Sequence, residues 1–214
     1  MHIPDGFVSP GVSIAGYAVT AGATWYALRR IDKDRNPQAK IPKAALMTAA
    51  FFVVNLIHIP IPPSSIHLVL NGLMGAILGF YALPAIVIAL FFQAIIFQHG
   101  GITTLGINAV IMGLPALLAY GIFELRHRFN FDEQTRTKLF GFLSGASGVM
   151  VSAALFSGIV IAAIPADISA QTERRATLFA LALYTIPAVV EGIATLMVAS
   201  FLDRVKPELL ESHY

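Results

Sequence analysis

Apolar residues occur along this chain in seven long blocks, separated by short polar or turn-forming segments. A helix needs about 20 predominantly apolar residues to cross a bilayer, and most of the blocks approach that length. The blocks comprise residues 11–29, 41–59, 65–83, 84–98, 103–125, 139–164 and 176–202. The fourth block is short and directly follows the third at Pro84, so these two are expected to form a tight hairpin. The pattern predicts seven transmembrane helices.

The composition agrees with this interpretation. Hydrophobic residues make up 57% of the 214, charged residues make up 12%, and the mean hydropathy is +0.75. These values are far from those of a soluble domain. We therefore predict an all-α integral membrane protein in which residues 1–214 form a single membrane domain. Cysteine is absent, which excludes disulfides and thiolate metal ligands.

The distribution of Lys and Arg predicts the orientation in the membrane. With the N-terminus outside, twelve of the fourteen positive charges lie in inner loops, and only Arg174 and Arg175 lie outside. Such an excess on one side is the positive-inside signal, and it makes the C-terminus cytoplasmic. The net charge of +2 therefore reflects topology and gives no indication of nucleic-acid binding. The inner charges are Arg29, Arg30, Lys33, Arg35, Lys40, Lys43, Arg126, Arg128, Arg136, Lys138, Arg204 and Lys206.

The first two residues carry the most specific chemistry in the chain. The Met1 α-amine, the His2 backbone amide nitrogen and a His2 ring nitrogen can bind one metal ion together and close two small chelate rings. Such a set favours planar coordination, which suits Ni(II) and Cu(II), whereas Zn(II) prefers tetrahedral sites. A square-planar site has four positions, so one position is left for a fourth ligand from elsewhere in the chain. The alternative is that His2 is an ordinary residue on a frayed terminus.

The segment 1–10 is expected to lie outside the membrane and to fold back into the helix bundle. It contains Pro4, Asp5, Gly6 and Pro10, so it is too polar and too rich in turn formers to be a helix. No basic region precedes an apolar run, so we expect no cleavable signal peptide, and the amine of Met1 is expected to survive.

Three histidines compete for the fourth position. His58, His67 and His99 all map to the outer ends of predicted spans, whereas His127 and His213 map to the inner side. His67 is predicted about half a turn inside the third span, with Asn71 on the same helix face at i+4. The alternative for His67 is an interfacial side chain bonded to a loop carbonyl. His99 lies in a glycine turn, where it is expected to support a ligand or to belong to the loop.

Four predicted spans each carry one amide at a similar depth. By helical rise, Asn55, Asn71, Gln93 and Asn108 lie about 6–9 Å inside the outer face. Buried amides in a bilayer need hydrogen-bond partners, so they are predicted either to join helices or to form the polar floor of an outward cavity. Both roles can occur together, because a metal-binding His commonly donates its second ring nitrogen to such a group.

Three segments of the chain resemble one known family. They are MHIPDGFVSP, then HLVLNGLMG beginning at His67, then FQHGGITTLGINAVIMGLP. The chain is similar to the NikM/CbiM family, the substrate-binding membrane (S) components of energy-coupling factor (ECF) transporters for nickel and cobalt. The resemblance covers most of the chain, and the N-terminal Met-His is itself the family's signature. It implies a multi-pass protein of the prokaryotic cell (inner) membrane.

The resemblance also implies the ligands and the cargo. One divalent metal is expected to bind through Met1, His2 and His67, as transported substrate and without any prosthetic group. Pro4 and Asp5 resemble the nickel branch of the family, so high-affinity capture of Ni(II), with Co(II) as the second candidate, is expected at the outer face. Cellular supply must contribute to selectivity, because Cu(II) binds such sites more tightly.

Partners are expected to supply the energy. The chain has no G-x-x-x-x-G-K-[ST] motif, so it is not expected to be an enzyme that hydrolyses ATP. The resemblance implies two cytoplasmic ATPases, a transmembrane coupling subunit and, where needed, a separate small accessory membrane subunit. Ala45 and Ala49 form a small-xxx-small pair that is expected to contact the coupling subunit. The pairs Gly75–Gly79 and Gly141–Gly145 have the same form, and packing within the bundle is the alternative for all three.

Two other classes of protein are possible on the sequence alone. A secondary transporter driven by an ion gradient would need titratable groups along the path, and Glu191 is the one mid-span carboxylate. We expect Glu191 to have a structural role, with Tyr184 or another span as partner, far below the metal site. An intramembrane metalloenzyme would need an open ligand set such as H-E-x-x-H, which does not occur.

Overall fold

The computed structural model describes residues 1–34, 36–61, 64–163 and 170–210, and within them all side chains except those of residues 58–61, 64–67 and 170. These ranges contain eight α-helices and one β-hairpin. In chain order they are α1 Pro10–Ile31, α2 Ile41–Val54, β1 His58–Ile61, β2 Ser64–His67, α3 Asn71–Leu78, α4 Ala82–Phe97, α5 Leu105–Glu124, α6 Glu133–Ala163, α7 Ala170–Leu183 and α8 Thr185–Val205.

The helices are those of a membrane protein. Within the described ranges, four helical stretches are long and apolar enough, by length and composition alone, to cross a membrane: Asn71–Phe97, which contains both α3 and α4, Leu105–Arg128, Glu133–Ala163 and Gln171–Val205. Large apolar side chains on α4, among them Ile88, Phe92 and Ile96, are exposed on the outside of the bundle. An apolar exterior of this kind fits a lipid environment, and the predicted class of helical membrane protein is confirmed.

The largest difference from the sequence-based prediction lies between α2 and α3. The predicted second and third spans continue through residues 58–67, whereas the structure has the antiparallel pair β1 and β2 there, with His58 opposite His67. Pro60 lacks a backbone N–H, and the β-branched isoleucines favour extended chain. His67 therefore ends a strand instead of entering a helix, and the predicted i+4 relation with Asn71 is wrong.

The chain reverses direction between α3 and α4. Near the start of α2, Lys43 Nζ donates to the carbonyl of Ile77 at 2.9 Å. At the other end of α2, Asn55 Nδ2 donates to the carbonyl of Val69 at 3.1 Å. Helix α3 is therefore antiparallel to α2. Helix α4 runs back along α2, because Gln93 in its last turns contacts Phe52 near the end of α2, so the reversal occurs in the 3₁₀ turn Gly79–Tyr81 rather than at Pro84.

Helix α5 occupies the centre of the bundle, against α1, α3, α4 and α6. Its approach to α3 is close: a Cβ on Gly75 would lie 2.0 Å from the carbonyl oxygen of Ala116. Gly145 on α6 approaches α8 in the same way, since its Cβ would lie 2.5 Å from the Glu191 carbonyl oxygen. Gly75 and Gly145 therefore pack against helices of the same bundle. This is the alternative that the sequence analysis gave to contact with a partner subunit.

Basic residues collect at one end of the bundle. Lys43 donates to the carbonyl of Leu209 at 2.9 Å, and Arg126 donates to the carbonyl of Leu210 at 2.8 Å. Asn108 lies 18 residues before Arg126, about 27 Å along α5 at helical rise, and it contacts the N-terminal segment. The N-terminal segment and the basic cluster are therefore at opposite ends of the bundle.

Candidate metal site

The first three residues of the N-terminal segment enter the bundle, whereas residues 4–7 are exposed. Met1 is 5% exposed and Ile3 is 1% exposed. The backbone N–H of Ile3 donates to Asn108 Oδ1 at 2.8 Å, and Asn108 Nδ2 donates back to the Ile3 carbonyl at 3.0 Å. Thr104 Oγ1 donates to the same carbonyl at 2.7 Å. Because α5 satisfies both polar groups of Ile3, the backbone of Met1 and His2 is placed at a defined depth.

The ring of His2 is oriented by Gln93. Gln93 Nε2 donates to the carbonyl of Phe52 at 3.1 Å, so its Oε1 must be the atom that faces His2 Nε2 at 3.2 Å. An amide oxygen only accepts, so His2 carries its proton on Nε2. The in-plane lone pair then resides on Nδ1, the ring nitrogen nearer the main chain. Nδ1 closes a six-membered ring with a metal on the His2 amide nitrogen, as the predicted chelate requires.

His99 and the glycines after it surround the His2 ring. The centroids of His2 and His99 are 4.1 Å apart, with an angle of 64° between the ring planes. The backbone N–H of His99 donates to the carbonyl of Gln93 at 3.1 Å, which ends α4. Gly100 follows with φ +82°, and a Cβ there would lie 3.5 Å from His2 Cδ2 and 3.0 Å from Asn108 Nδ2. His99 thus packs against the His2 ring. The turn that holds it depends on Gly100, because only glycine adopts this positive φ readily.

Asp5 binds the N-terminal segment to Thr103, just before α5. Its Oδ1 accepts from Thr103 Oγ1 at 2.5 Å and from the Thr103 backbone N–H at 2.9 Å. The Thr103 hydroxyl is the main cause that lowers the pKa of Asp5, so the carboxylate stays ionised and the contact persists at neutral pH. The backbone of Gly101 runs directly beneath Asp5.

Gly101→Ala is expected to displace the segment. The new Cβ would lie 1.9 Å from Asp5 Oδ1 and 2.8 Å from the Asp5 backbone nitrogen. A clash of this kind costs about 1–3 kcal/mol, so the Met1 amine should react roughly tenfold faster or more with an amine-acylating reagent. Mass spectrometry of the N-terminal peptide measures that rate. Gly121→Ala, with nothing within 4 Å of its Cβ, is the matched control and should react as the parent does. Equal rates for both variants would contradict this docking.

The amine of Met1 has an unusual environment. Burial lowers the pKa of this amine from 8.0 to about 5, because the charged form loses its hydration. At neutral pH the docked amine is therefore uncharged, which is the form in which an amine can bind a metal ion. The undocked amine has its ordinary pKa, so docking becomes less favourable as the pH falls below 8.

The other two predicted amides do not contact the N-terminal segment. Asn71 Nδ2 donates to Ser152 Oγ at 2.5 Å and to the carbonyls of Met112 and Gly148, each at 3.2 Å. Asn55 joins α2 to the residues just before α3. Of the four predicted amides, Gln93 and Asn108 therefore face the segment, while Asn55 and Asn71 connect helices.

The remaining histidines have different positions. The side chains of His58 and His67 lie outside the described part of the structure, which gives only their backbone pairing. His213 lies outside the described residues, and His127 is exposed at the basic end of the bundle. Among the side chains that are described, no three from His, Cys, Asp and Glu form a metal cluster.

Two groups of residues at the site escape the sequence-based prediction. Thr103 and Thr104 bond Asp5 and Ile3, and the signal for them was the polar turn GGITT before α5. Glu191 is the second case: its carboxylate accepts from the backbone N–H groups of Val69 and Leu70, the latter at 2.7 Å. The predicted structural role of Glu191, with another span as partner, agrees with these bonds, because Val69 and Leu70 lie in the predicted third span. The prediction missed that these amides follow His67 by only two and three residues.

Comparison with known proteins identifies the class. The chain is 35% identical over 161 residues to a putative metal transport protein of Haemophilus influenzae, covering 75% of each chain. It is 33% identical to the cobalt transport protein CbiM of Chlorobium limicola, over 98% of this chain and 83% of that one. It is 32% identical to the fused nickel transport protein NikMN of Rhodobacter capsulatus, of which it spans 64%. A crystal structure described as a truncated transition metal transporter shares the fold, with a TM-score of 0.76 at 24% identity over 95% of this chain and 99% of that one.

The chain is thus a membrane component of a cobalt or nickel uptake system. Residues 2–209 match the family described as "Cobalt uptake substrate-specific transmembrane region". The chain belongs to this NikM/CbiM family, which confirms the resemblance inferred from its motifs.

Proposed function

We propose that this protein captures Ni(II) with high affinity at the outer face of the membrane and delivers it inward, with Co(II) as the second substrate. The ligands are the Met1 amine, the His2 amide nitrogen, His2 Nδ1 and His67. The observation that supports the proposal is the bond between His2 Nε2 and Gln93 Oε1, which makes Nδ1 the unprotonated ring nitrogen in a residue that follows a buried amine.

The proposed donor set favours nickel over cobalt. A metal-bound backbone amide must lose its proton, and Ni(II) gains more than Co(II) from the strong planar field of the resulting anion. Zn(II) prefers a tetrahedral site, which the chelate geometry disfavours. With four nitrogens the square is complete, and no position is left for an activated water, so the site is suited to capture and not to catalysis.

The proposed topology has seven spans, with the N-terminus outside and the C-terminus in the cytoplasm of a prokaryotic cell. The excess of Lys and Arg on one side supports this orientation. The cluster of Lys43 and Arg126 at the end opposite to the N-terminal segment supports it as well. The metal site then faces the outside, where the cargo is captured.

The proposed partners are an ECF coupling subunit, two cytoplasmic ATPases and, where needed, a small accessory membrane subunit. Ala45 and Ala49 on α2 line an apolar groove of about 730 Å³ between α1, α2 and α4. Their small side chains allow another helix to approach closely, in contrast to the glycines of α3 and α6, which pack within the bundle. This groove is the surface proposed for the coupling subunit.

Uptake into liposomes tests this function. Purified protein is reconstituted with and without the coupling subunit and ATPases, and entry of radioactive nickel is measured with and without ATP. The proposal expects uptake only with all partners and ATP. Uptake by the protein alone, driven by a proton or sodium gradient, would instead establish the secondary transporter. Both oxygens of Glu191, the mid-span carboxylate such a transporter would use, already bond backbone amides.

Nickel affinity is expected to weaken as the pH falls from about 7.5 to about 5.5. Binding always releases the His2 amide proton, and below about pH 6.5 it must also displace protons from the imidazoles. Near pH 5 the metal must displace one more proton, from the Met1 amine, because the pKa of this amine is about 5 when the segment is docked. Calorimetry in buffers of different ionisation enthalpy gives both the affinity and the number of protons released. An affinity that stays constant over this range would exclude amide, amine and histidine ligation.

A further inference from the structure

Glu191 lies buried on α8, far from the N-terminal segment in sequence but next to the chain that carries His67. It is 1% exposed, and its Oε2 accepts from the Leu70 N–H at 2.7 Å while its Oε1 accepts from the Val69 N–H. The bonded amides belong to the short connection between β2, which ends at His67, and α3, which begins at Asn71. One carboxylate thus bonds two consecutive amides of this connection.

The connection needs such a partner. Leu70 has φ 56°, a left-handed conformation that costs a residue with a Cβ about 1 kcal/mol or more. The N–H groups that precede and open a helix have no partner within it, and a buried N–H without a partner is costly. Val69 is fully buried, and on its other side its carbonyl accepts from Asn55. The connection between β2 and α3 is therefore held from two sides, by Glu191 of α8 and by Asn55 at the end of α2.

Helix α8 provides a rigid base for the carboxylate. The backbones of α6 and α8 are in close contact at Glu191, since a Cβ on Gly145 would lie 2.5 Å from the Glu191 carbonyl oxygen. The carboxylate cannot follow a moving connection without disturbing this contact. Val69 follows His67 by two residues, a separation of at most about 7 Å of chain, so the connection fixed at Val69 limits where His67 can lie.

We propose that Glu191 is a positioning residue for metal capture: it fixes the connection after β2 so that His67 completes the square begun by Met1 and His2. This inference rests on the ligand set under Proposed function. It gives the buried carboxylate a role in binding, beyond stabilising the fold. That role predicts an effect of Glu191 on the coordination of the metal, which a purely structural residue would not have.

Glu191→Gln tests the role. A carboxamide has the same shape, but only its oxygen can accept, so its NH₂ group must face one of the two amides. The metal should remain on Met1 and His2 while water replaces His67, and the visible d–d band of bound Ni(II) should move to lower energy, as in His67→Ala. Affinity should fall roughly 10–100-fold, the usual effect of removing a group that orients a ligand.

A double mutant separates positioning from general destabilisation. If Glu191 acts through His67, then Glu191→Gln should change neither the band nor the affinity in a His67→Ala background. Thr195→Val is the matched control: Thr195 is fully buried one turn further along α8, and the variant should keep the wild-type band. Should Glu191→Gln not fold, Glu191→Asp keeps the charge but cannot reach both amides, and it should move the band in the same direction.

The same measurements separate failure of the positioning role of Glu191 from failure of the proposed ligand set. A folded Glu191 variant with the wild-type band and affinity would overturn the inference, and so would a full loss of affinity in the His67→Ala background. If His67→Ala itself leaves the band unchanged, the ligand set is wrong and the proposed function with it. If His67→Ala moves the band and Glu191→Gln does not, only the positioning role fails.

Discussion

A retained N-terminal extension should abolish tight nickel binding, with an affinity loss of at least roughly 1000-fold, or about 4 kcal/mol. An extension converts the Met1 amine into a neutral amide, which removes one ligand. Met1 is also 5% exposed, so a continuing chain has to leave a buried position and withdraw His2 from Gln93. Calorimetry on the extended protein, before and after a protease restores Met1 as the first residue, measures the effect on one sample.

A one-residue insertion is the control for this prediction. An Ala between Met1 and His2 leaves every side chain present but adds a second amide between amine and ring. The terminus then offers four nitrogens without His67, so metal should still bind while uptake by cells fails. If binding involved side chains alone, the extended and the inserted protein would both behave as wild type. Normal nickel uptake by cells carrying a retained extension would exclude the terminal amine as a ligand.

His67→Ala should produce the second largest effect. The three nitrogens of Met1 and His2 remain, but water takes the fourth position and the N-terminal segment loses its link to the hairpin. Removing a group that merely orients a ligand costs about 10–100-fold in affinity, so loss of the ligand itself should cost roughly 100-fold or more. Thermal unfolding should change little, because His67 ends a strand outside the helices.

His127→Ala is the matched control for this substitution, since His127 is exposed at the opposite end of the bundle. It should bind nickel as wild type does. Equal affinities of His67→Ala and wild type would remove His67 from the ligand set. His58, its partner across the hairpin, and His99, beside the His2 ring, would then be tested next.

Much of the fold was predictable from the lengths of the apolar blocks, because a span must satisfy its own backbone as a helix. The strand pair His58–Ile61 and Ser64–His67 was not predictable, because its isoleucines are as apolar as those of a helix and hydropathy does not distinguish the two structures. The useful signal was local: Pro60, Pro62 and Pro63 within ten residues disfavour a helix.

The site was predictable where helical depth is a fair measure of position. Gln93 and Asn108 lie on helices, and both contact the N-terminal segment. The contact of Glu191 with the chain after His67 was missed because depth was counted along α8 alone. The non-helical chain before α3 is buried at Val69, so Val69 and Leu70 reach the carboxylate without any helical periodicity to indicate it.

The spin state of bound nickel shows whether the amine and amide of the chain terminus are ligands. Planar Ni(II) in a field that includes a deprotonated amide nitrogen is diamagnetic, whereas six-coordinate Ni(II) bound by side chains and water is paramagnetic. Magnetic susceptibility is measured in solution on purified protein carrying one equivalent of Ni(II), with the N-terminally extended protein as the reference. We expect a diamagnetic ion in the native protein. A paramagnetic ion bound tightly by the native protein would contradict a site built from the amine and amide of the chain terminus.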